Sequence, residues 1–120
     1  MRETIRDKDR LEHILEAMQA LAEGRERHGA DEVNADPILY YGFVKNIEII
    51  GEAVYKLTKE FKEEHPEVPW KDIEAMRHVL VHGYYDISPS KVWATIERDI
   101  PALMPFIITY IEDFGDGDLS

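Results

Sequence analysis

Apolar residues recur every three or four positions along most of the chain, which is the spacing of amphipathic helices. The first such segment is formed by Leu11, Ile14, Leu15, Met18, Leu21 and Ala22. Gly24 and Gly29 mark where this helix weakens and stops. No segment sustains the alternation with a period of two that is typical of a half-buried strand. The pattern therefore predicts an all-helical protein.

The second predicted helix has the clearest start signal. Asp36 can accept hydrogen bonds from the free amides, and Pro37 suits the first helical position because it has no N–H. Steps of four and three residues then separate Phe43, Ile47, Ile50, Val54, Leu57 and Phe61. Such a stripe faces one partner along a long helix, as in bundles, and it is compatible with a homodimer. We predict one helix that ends near His65-Pro66.

Prolines divide the remainder of the chain. Pro69 opens a third, shorter helix, from Trp70 to Val81, which stops at His82-Gly83. Ser88-Pro89 repeats the signal of a cap followed by proline, and it begins a fourth helix. The apolar face of that helix consists of Val92, Trp93 and Ile96.

Pro101 and Pro105 are predicted either to kink the fourth helix or to break it before a fifth. The tail, residues 115–118, should fray. The resulting fold class is all-α, an antiparallel bundle of four to five helices in one domain that spans residues 1–120.

Composition and charge limit the function classes. The charged N-terminus lacks the apolar segment of a signal peptide, and no apolar run is long enough to span a bilayer, so we expect a cytoplasmic protein without a membrane partner. The formal net charge of −11 argues against a general nucleic-acid binder, because such proteins present basic faces to phosphates. Any RNA contact must be local or involve a second subunit, and we expect no DNA partner.

The stretch 76–86 concentrates the side chains with useful chemistry at one helix end. Arg77 can donate two parallel hydrogen bonds to a phosphate, and His82 titrates near neutrality and can accept or give a proton. Five residues of helix turn these two side chains about 140° apart. Both can therefore reach one phosphate only if the helix ends at His82, and Gly83 favours such an end.

Simpler interpretations of the same residues stay open at this point. Arg77 could be a surface residue that pairs with Glu74, and His82 could be a cation favoured by the helix dipole. Glu48 and Glu52 could line a cleft, but solvent exposure is the default for such a pair. The other histidines lack partners at metal-ligand spacing and are predicted to be surface residues: His13, His28 and His65.

Residues 77–82 resemble the signature of HEPN-superfamily ribonucleases, in which an arginine is followed by a polar residue and, five positions after the arginine, by a histidine. With residues 83–84 the motif becomes R-x4-H-x-Y, the form seen in HepT-like toxins. Residues 46–53 look like that family's second helix, and residues 65–73 look like its P-x-[VI]-P-W connection.

Trp93 lies where the family often has a tryptophan, and the resemblance covers roughly residues 38–104. It implies a homodimeric HEPN-like bundle, the endoribonuclease toxin of a type II/VII-like toxin-antitoxin system, which cleaves RNA without a metal or cofactor. Arg77 would hold the phosphate, His82 would act as general acid or base, and His78 would be an auxiliary active-site residue.

The resemblance also implies a partner, a small MNT-type nucleotidyltransferase that serves as antitoxin. In this family such an enzyme can transfer AMP to the motif tyrosine, here Tyr84, while Tyr85 is interpreted as a packing or rim residue. The alternative is a non-catalytic helical module that binds the nucleotidyltransferase. The chain itself is not expected to transfer nucleotides, because it has neither a Gly-Ser motif with paired aspartates nor a phosphate-binding glycine loop.

Overall fold

Four long helical segments, supplemented by short helices, build the fold of this protein. The computed structural model describes the backbone of residues 2–82 and 89–119 and the side chains of residues 6–78 and 89–114. The elements are α1 (Arg2–Arg27), α2 (Ala30–Ala35), α3 (Pro37–Lys56), α4 (Lys59–Glu64), α5 (Trp70–His82), α6 (Pro89–Ala94), a π-helical turn (Thr95–Asp99) and α7 (Ile100–Leu119). The described residues include no strand, so the predicted all-α bundle is confirmed. No helix in the described part of the chain has the length and apolar character needed to cross a membrane.

Helices α1 and α3 run antiparallel and form the centre of the bundle. Asp7, near the start of α1, contacts Thr58 just beyond α3, whereas Gly24, near the end of α1, lies against Phe43 near the start of α3. A Cβ atom on Gly24 would lie 2.7 Å from Phe43 Cζ, so the missing side chain allows this close approach. Helix α5 packs on α3, and α7 packs on α1.

The predicted apolar stripe of α3 and α4 lies entirely inside the chain. Each of its members is 7% exposed or less: Phe43, Ile47, Ile50, Val54, Leu57 and Phe61. They pack with the apolar face of α1 and with Val92, Ile96, Ile100 and Ile107 from the C-terminal segment. The stripe is the core of one subunit, and it supplies no surface for a dimer.

Helix α3 begins as predicted but ends earlier. The Asp36 carboxylate accepts hydrogen bonds from the amides of Ile38 at 2.9 Å and Leu39 at 3.3 Å, with Pro37 in the first turn. The prediction of one continuous helix to His65 was wrong, because extended backbone at Leu57 ends α3.

Tertiary hydrogen bonds hold this break between α3 and α4. The buried Asp7 carboxylate accepts bonds from the Thr58 amide at 2.9 Å and the Thr58 hydroxyl at 2.6 Å, from 51 positions away. Thr58 Oγ1 in turn accepts a bond from the Phe61 amide and caps α4. These hydrogen bonds take the place of the backbone bonds that a continuous helix would form. The spacing of apolar residues along the chain does not reveal them, because they join residues that are far apart in the sequence.

The C-terminal segment accommodates its prolines without a break. A π-helical turn, Thr95–Asp99, comes immediately before Pro101, and the Ile100 amide donates to the Thr95 carbonyl. The wider turn suits a proline, which has no N–H and whose ring clashes with the carbonyl four residues earlier. Pro105 lies inside α7. Of the two outcomes predicted for the prolines, a break before a separate fifth helix therefore does not occur, because α6, the π-helical turn and α7 follow one another directly. Helix α7 continues through residues 115–118 to Leu119.

Candidate active site

Helix α5 carries Arg77, His78 and His82 of the predicted motif. It begins after Pro69, where the Trp70 indole donates a 2.8 Å hydrogen bond to the His65 carbonyl, and its last residue is His82. The described backbone is thus helical through His82, and the predicted end at His82-Gly83 stays a prediction. The His82 side chain, together with residues 83–88, which include Tyr84, Tyr85 and Ser88, lies outside the described part of the chain.

The stem of Arg77 rests against α3 at a glycine. A Cβ atom built on Gly51 would lie 2.4 Å from the Cβ of Arg77, so no larger residue fits without movement of a backbone. The Arg77 guanidinium carbon lies 5.8 Å from the centroid of the Tyr55 ring. Helix α3 thus determines where the Arg77 side chain leaves α5.

Among the residues whose side chains are described, Arg77 has no ion pair with a carboxylate, and the simpler interpretation that it pairs with Glu74 was wrong. Glu74 pairs instead with Lys62, whose Nζ lies 3.2 Å from the Glu74 Oε1 atom. The Nε of Arg77 is buried and has no hydrogen-bond acceptor among the described residues. An unsatisfied buried donor is costly, by about 1–3 kcal/mol, and guanidinium stays charged at every physiological pH. No described carboxylate therefore neutralises this guanidinium, and its charge is available to an anion.

The remaining polar residues near the motif differ in their surroundings. His78 is exposed and directly follows Arg77, about 100° further round the helix. Glu52 is exposed as predicted and lies 3.4 Å from Lys56, while Glu48 is only 29% exposed and lies 3.8 Å from Lys45. Both glutamates thus interact with lysines of their own helix.

The other three histidines are at least partly exposed, in agreement with their prediction as surface residues. His13 is exposed, and His28, partly exposed, lies 2.7 Å from a Glu32 oxygen. The His65 side chain is 25% exposed and contacts two aromatic rings, with centroids 4.5 Å from Phe61 and 4.2 Å from Tyr110. Within the described residues, no group of three histidines and carboxylates could hold a metal.

Two contacts of Arg77 were not predicted from the sequence: its packing against Gly51 and its position beside the Tyr55 ring. Glycine inside a helix costs roughly 0.5–1 kcal/mol relative to alanine, so its presence in α3 hinted at a close approach. No comparable signal marked Tyr55, because its position beside Arg77 depends on how α3 and α5 pack.

The helical bundle, with an arginine and a histidine at the end of one helix, has the features of a HEPN-type protein. Residues 14–110 match the family model described as "Ribonuclease HepT-like". The chain belongs to this family of HepT-like ribonucleases.

Several relatives cover most of this chain. A protein of Caldanaerobacter subterraneus subsp. tengcongensis, named as a candidate RNase, is 44% identical over 78% of this chain and 83% of its own. A probable ribonuclease HepT of Thermococcus cleftensis is 34% identical over 80% of this chain and 87% of its own. A candidate RNase of Methanocaldococcus jannaschii is 31% identical over 90% of this chain and 89% of its own. No solved structure matches.

Proposed function

We propose that this protein is a metal-independent endoribonuclease toxin that acts in the cytoplasm through its R-x4-H-x-Y motif. The observation that carries the proposal is the guanidinium of Arg77, which has a buried, unsatisfied Nε and no paired carboxylate in the described structure. Arg77 lies on α5, the helix that also carries His82. Membership of the HepT-like family supports RNA as the substrate.

The proposed chemistry divides between the motif residues. His82 acts as general base or general acid, removing the proton of a ribose 2′-hydroxyl or protonating the leaving 5′-oxygen. Arg77 binds the phosphate and stabilises the charge that develops on its oxygens. His78, exposed beside Arg77, is the auxiliary residue that helps to orient the RNA.

The active unit is proposed to be a homodimer in which two motifs face one cleft. One motif contains a single Arg77–His82 pair, whereas cleavage needs both a base and an acid in the same transition state. Two pairs across an interface supply both. A second guanidinium would also increase the local positive charge in a chain whose formal net charge is −11.

An MNT-type nucleotidyltransferase is the proposed antitoxin. It would catalyse attack of the Tyr84 hydroxyl oxygen on the α-phosphorus of ATP, with loss of the hydroxyl proton and release of pyrophosphate. The attached AMP is a bulky anion two residues beyond His82. It would occupy Arg77 and repel RNA from the cleft.

The first test is RNA cleavage in EDTA by protein whose intact mass shows no added AMP. Wild-type protein should cleave, while Arg77→Ala and His82→Ala should each lose most of the activity. Arg25→Ala is the matched control, because Arg25 also has a buried Nε without a described partner but lies on α1, outside the motif. Equal loss in the Arg25 variant would remove the argument from the buried Nε of Arg77.

The second test incubates the protein with the cognate nucleotidyltransferase and ATP. The mass should increase by one AMP, and cleavage should stop. Tyr84→Phe should block the modification, whereas Tyr85→Phe should not. Modification of the Tyr84 variant would assign the AMP to another residue.

The alternative function is a non-catalytic module that binds the nucleotidyltransferase. The formal net charge of −11 favours it, because an acidic surface suits a basic protein better than it suits RNA. Failure of the unmodified dimer to cleave total or transfer RNA, combined with tight binding to the nucleotidyltransferase, would establish this alternative.

A further inference from the structure

An exposed aromatic ring lies beside the phosphate-binding candidate Arg77. Tyr55, in the last turn of α3, is 63% exposed although it is a large ring. Its centroid lies 5.8 Å from the Arg77 guanidinium carbon, a separation typical of cation–π contacts. The guanidinium covers only part of the Tyr55 ring, so most of the aromatic surface is exposed to solvent next to a cation.

A groove leads away from Tyr55 along the outer side of α4 and the start of α5. It has a volume of about 840 Å³, and Tyr55 lies on its wall. Leu57, Pro69 and Trp70 contribute to the apolar part of that wall. Tyr55 thus both lines the groove and contacts Arg77. The size of the groove lies in the range of about 300–1,000 Å³ typical of ligand clefts.

The charges on the groove wall are balanced in a strongly acidic chain. Three lysines line it, Lys59, Lys62 and Lys71, along with three acidic residues, Glu63, Asp72 and Glu74. The Lys62 ammonium is used inside the protein, because it donates to the Val54 carbonyl at 3.3 Å and pairs with Glu74. Lys59 and Lys71 are exposed. A phosphate strand along this wall therefore meets cations as well as carboxylates.

We propose that Tyr55 is a base-stacking residue, and that the groove beyond it holds single-stranded RNA next to the phosphate bound by Arg77. This inference rests on the proposed nuclease function and names the form of RNA that the site accepts. An aromatic ring stacks on any unpaired base, and such stacking contributes about 1–3 kcal/mol per base. A base attached to the Arg77-bound phosphate is only one sugar away from the Tyr55 ring.

Stacking on Tyr55 has a consequence for selectivity. A base held in a duplex cannot lie on the ring, so single strands and loops should bind more tightly than double-stranded RNA. Because every base has a π face, the preference among the four bases should be small.

The test measures RNA binding separately from cleavage. A labelled single-stranded oligoribonucleotide is titrated, by fluorescence anisotropy, into protein that carries His82→Ala so that the RNA stays intact. In this background Tyr55→Ala should weaken binding about 5- to 150-fold, the equivalent of about 1–3 kcal/mol. Tyr55→Phe should retain the affinity, because the ring remains.

Tyr41→Ala is the matched control. Tyr41 is a second exposed tyrosine of α3, 60% accessible, but it precedes Tyr55 by 14 positions and lies about 21 Å away along the helix. Its removal should leave RNA binding unchanged. The molar mass of every variant is measured, because an exposed ring could instead contact a second copy of the chain.

Wild-type affinity in the Tyr55→Ala variant would overturn the inference, as would a loss of affinity that accompanies a change in molar mass. Cleavage kinetics give a second readout: with His82 intact, Tyr55→Ala should raise KM and leave kcat nearly unchanged, whereas Arg77→Ala should lower kcat. An unmodified protein that binds RNA through Tyr55 but never cleaves it would contradict the nuclease proposal alone.

Discussion

Gly51 and Arg77 are in contact between α3 and α5, and a Cβ atom on Gly51 would lie 2.4 Å from the Cβ of Arg77. Atoms that are not bonded do not approach so closely. The glycine thus lets α5 lie against α3 at the residue that carries the candidate phosphate ligand. The packing of α5 on α3 consequently also places the aliphatic part of the Arg77 side chain.

Gly51→Ala is expected to destabilise the protein and to impair the site. The added methyl group must push α5 outward, and overpacking of this kind costs roughly 1–3 kcal/mol. The displacement also moves Arg77, so cleavage should fall by more than the loss of folded protein explains. Urea denaturation and cleavage assays on the folded fraction measure the two effects.

Gly42→Ala is the control for this prediction. Gly42 lies in the same helix, and a Cβ atom there would meet nothing within 4 Å. Alanine should therefore stabilise α3 by roughly 0.5–1 kcal/mol, since glycine is the poorer helix former. Equal effects at the two positions would contradict the role assigned to close packing at Gly51.

Asp7→Ala is expected to lower the free energy of unfolding by about 1.5–3 kcal/mol, the range for hydrogen bonds to a charged group. The buried carboxylate accepts bonds from both the amide and the hydroxyl of Thr58, and the substitution leaves these donors without an acceptor. Chemical denaturation measures the change. Asp9→Ala, at an exposed position two residues later, should have little effect.

Tyr110→Phe is expected to destabilise the connection between α4 and α5. The buried Tyr110 hydroxyl donates to the Glu67 carboxylate, and Tyr110 also stacks with His65. Loss of this bond should lower the urea midpoint at neutral pH. A midpoint equal to that of the wild type would show that the bond does not contribute to stability.

The stabilisation by Tyr110 and Glu67 should depend on pH at both extremes. The hydrogen bond from Tyr110 lowers the pKa of Glu67, so its contribution is present above the ordinary carboxyl pKa and is lost as the pH falls through the lowered value. Burial and the bond to Glu67 raise the pKa of Tyr110, so its contribution is present below about pH 10 and is lost as the pH rises through the raised value. The stability difference between wild type and Tyr110→Phe should thus be largest near neutrality. Denaturation midpoints measured in acid, at neutrality and in alkali provide the check.

Most of the fold could be predicted because its determinants are local. Asp36 and Pro37 define the start of α3 through the hydrogen bonds of one turn, and Pro69 precedes the start of α5 at Trp70. The early end of α3 could not be predicted, because its cause is a carboxylate 51 positions away from Thr58. The contact between His65 and Tyr110 could not be predicted either, because Tyr110 comes from another helix.

The helical class, the apolar faces and the motif residues Arg77 and His82 could be predicted from sequence alone, because periodicity, capping and motif spacing are properties of neighbouring residues. Three features became known from the tertiary structure: the apolar stripe of α3 is internal, and Glu74 forms an ion pair with Lys62. The third is that Arg77 contacts both Gly51 and the exposed ring of Tyr55. The physical reason is that these relationships depend on the packing of one helix against another, and many different packings are compatible with the same local pattern.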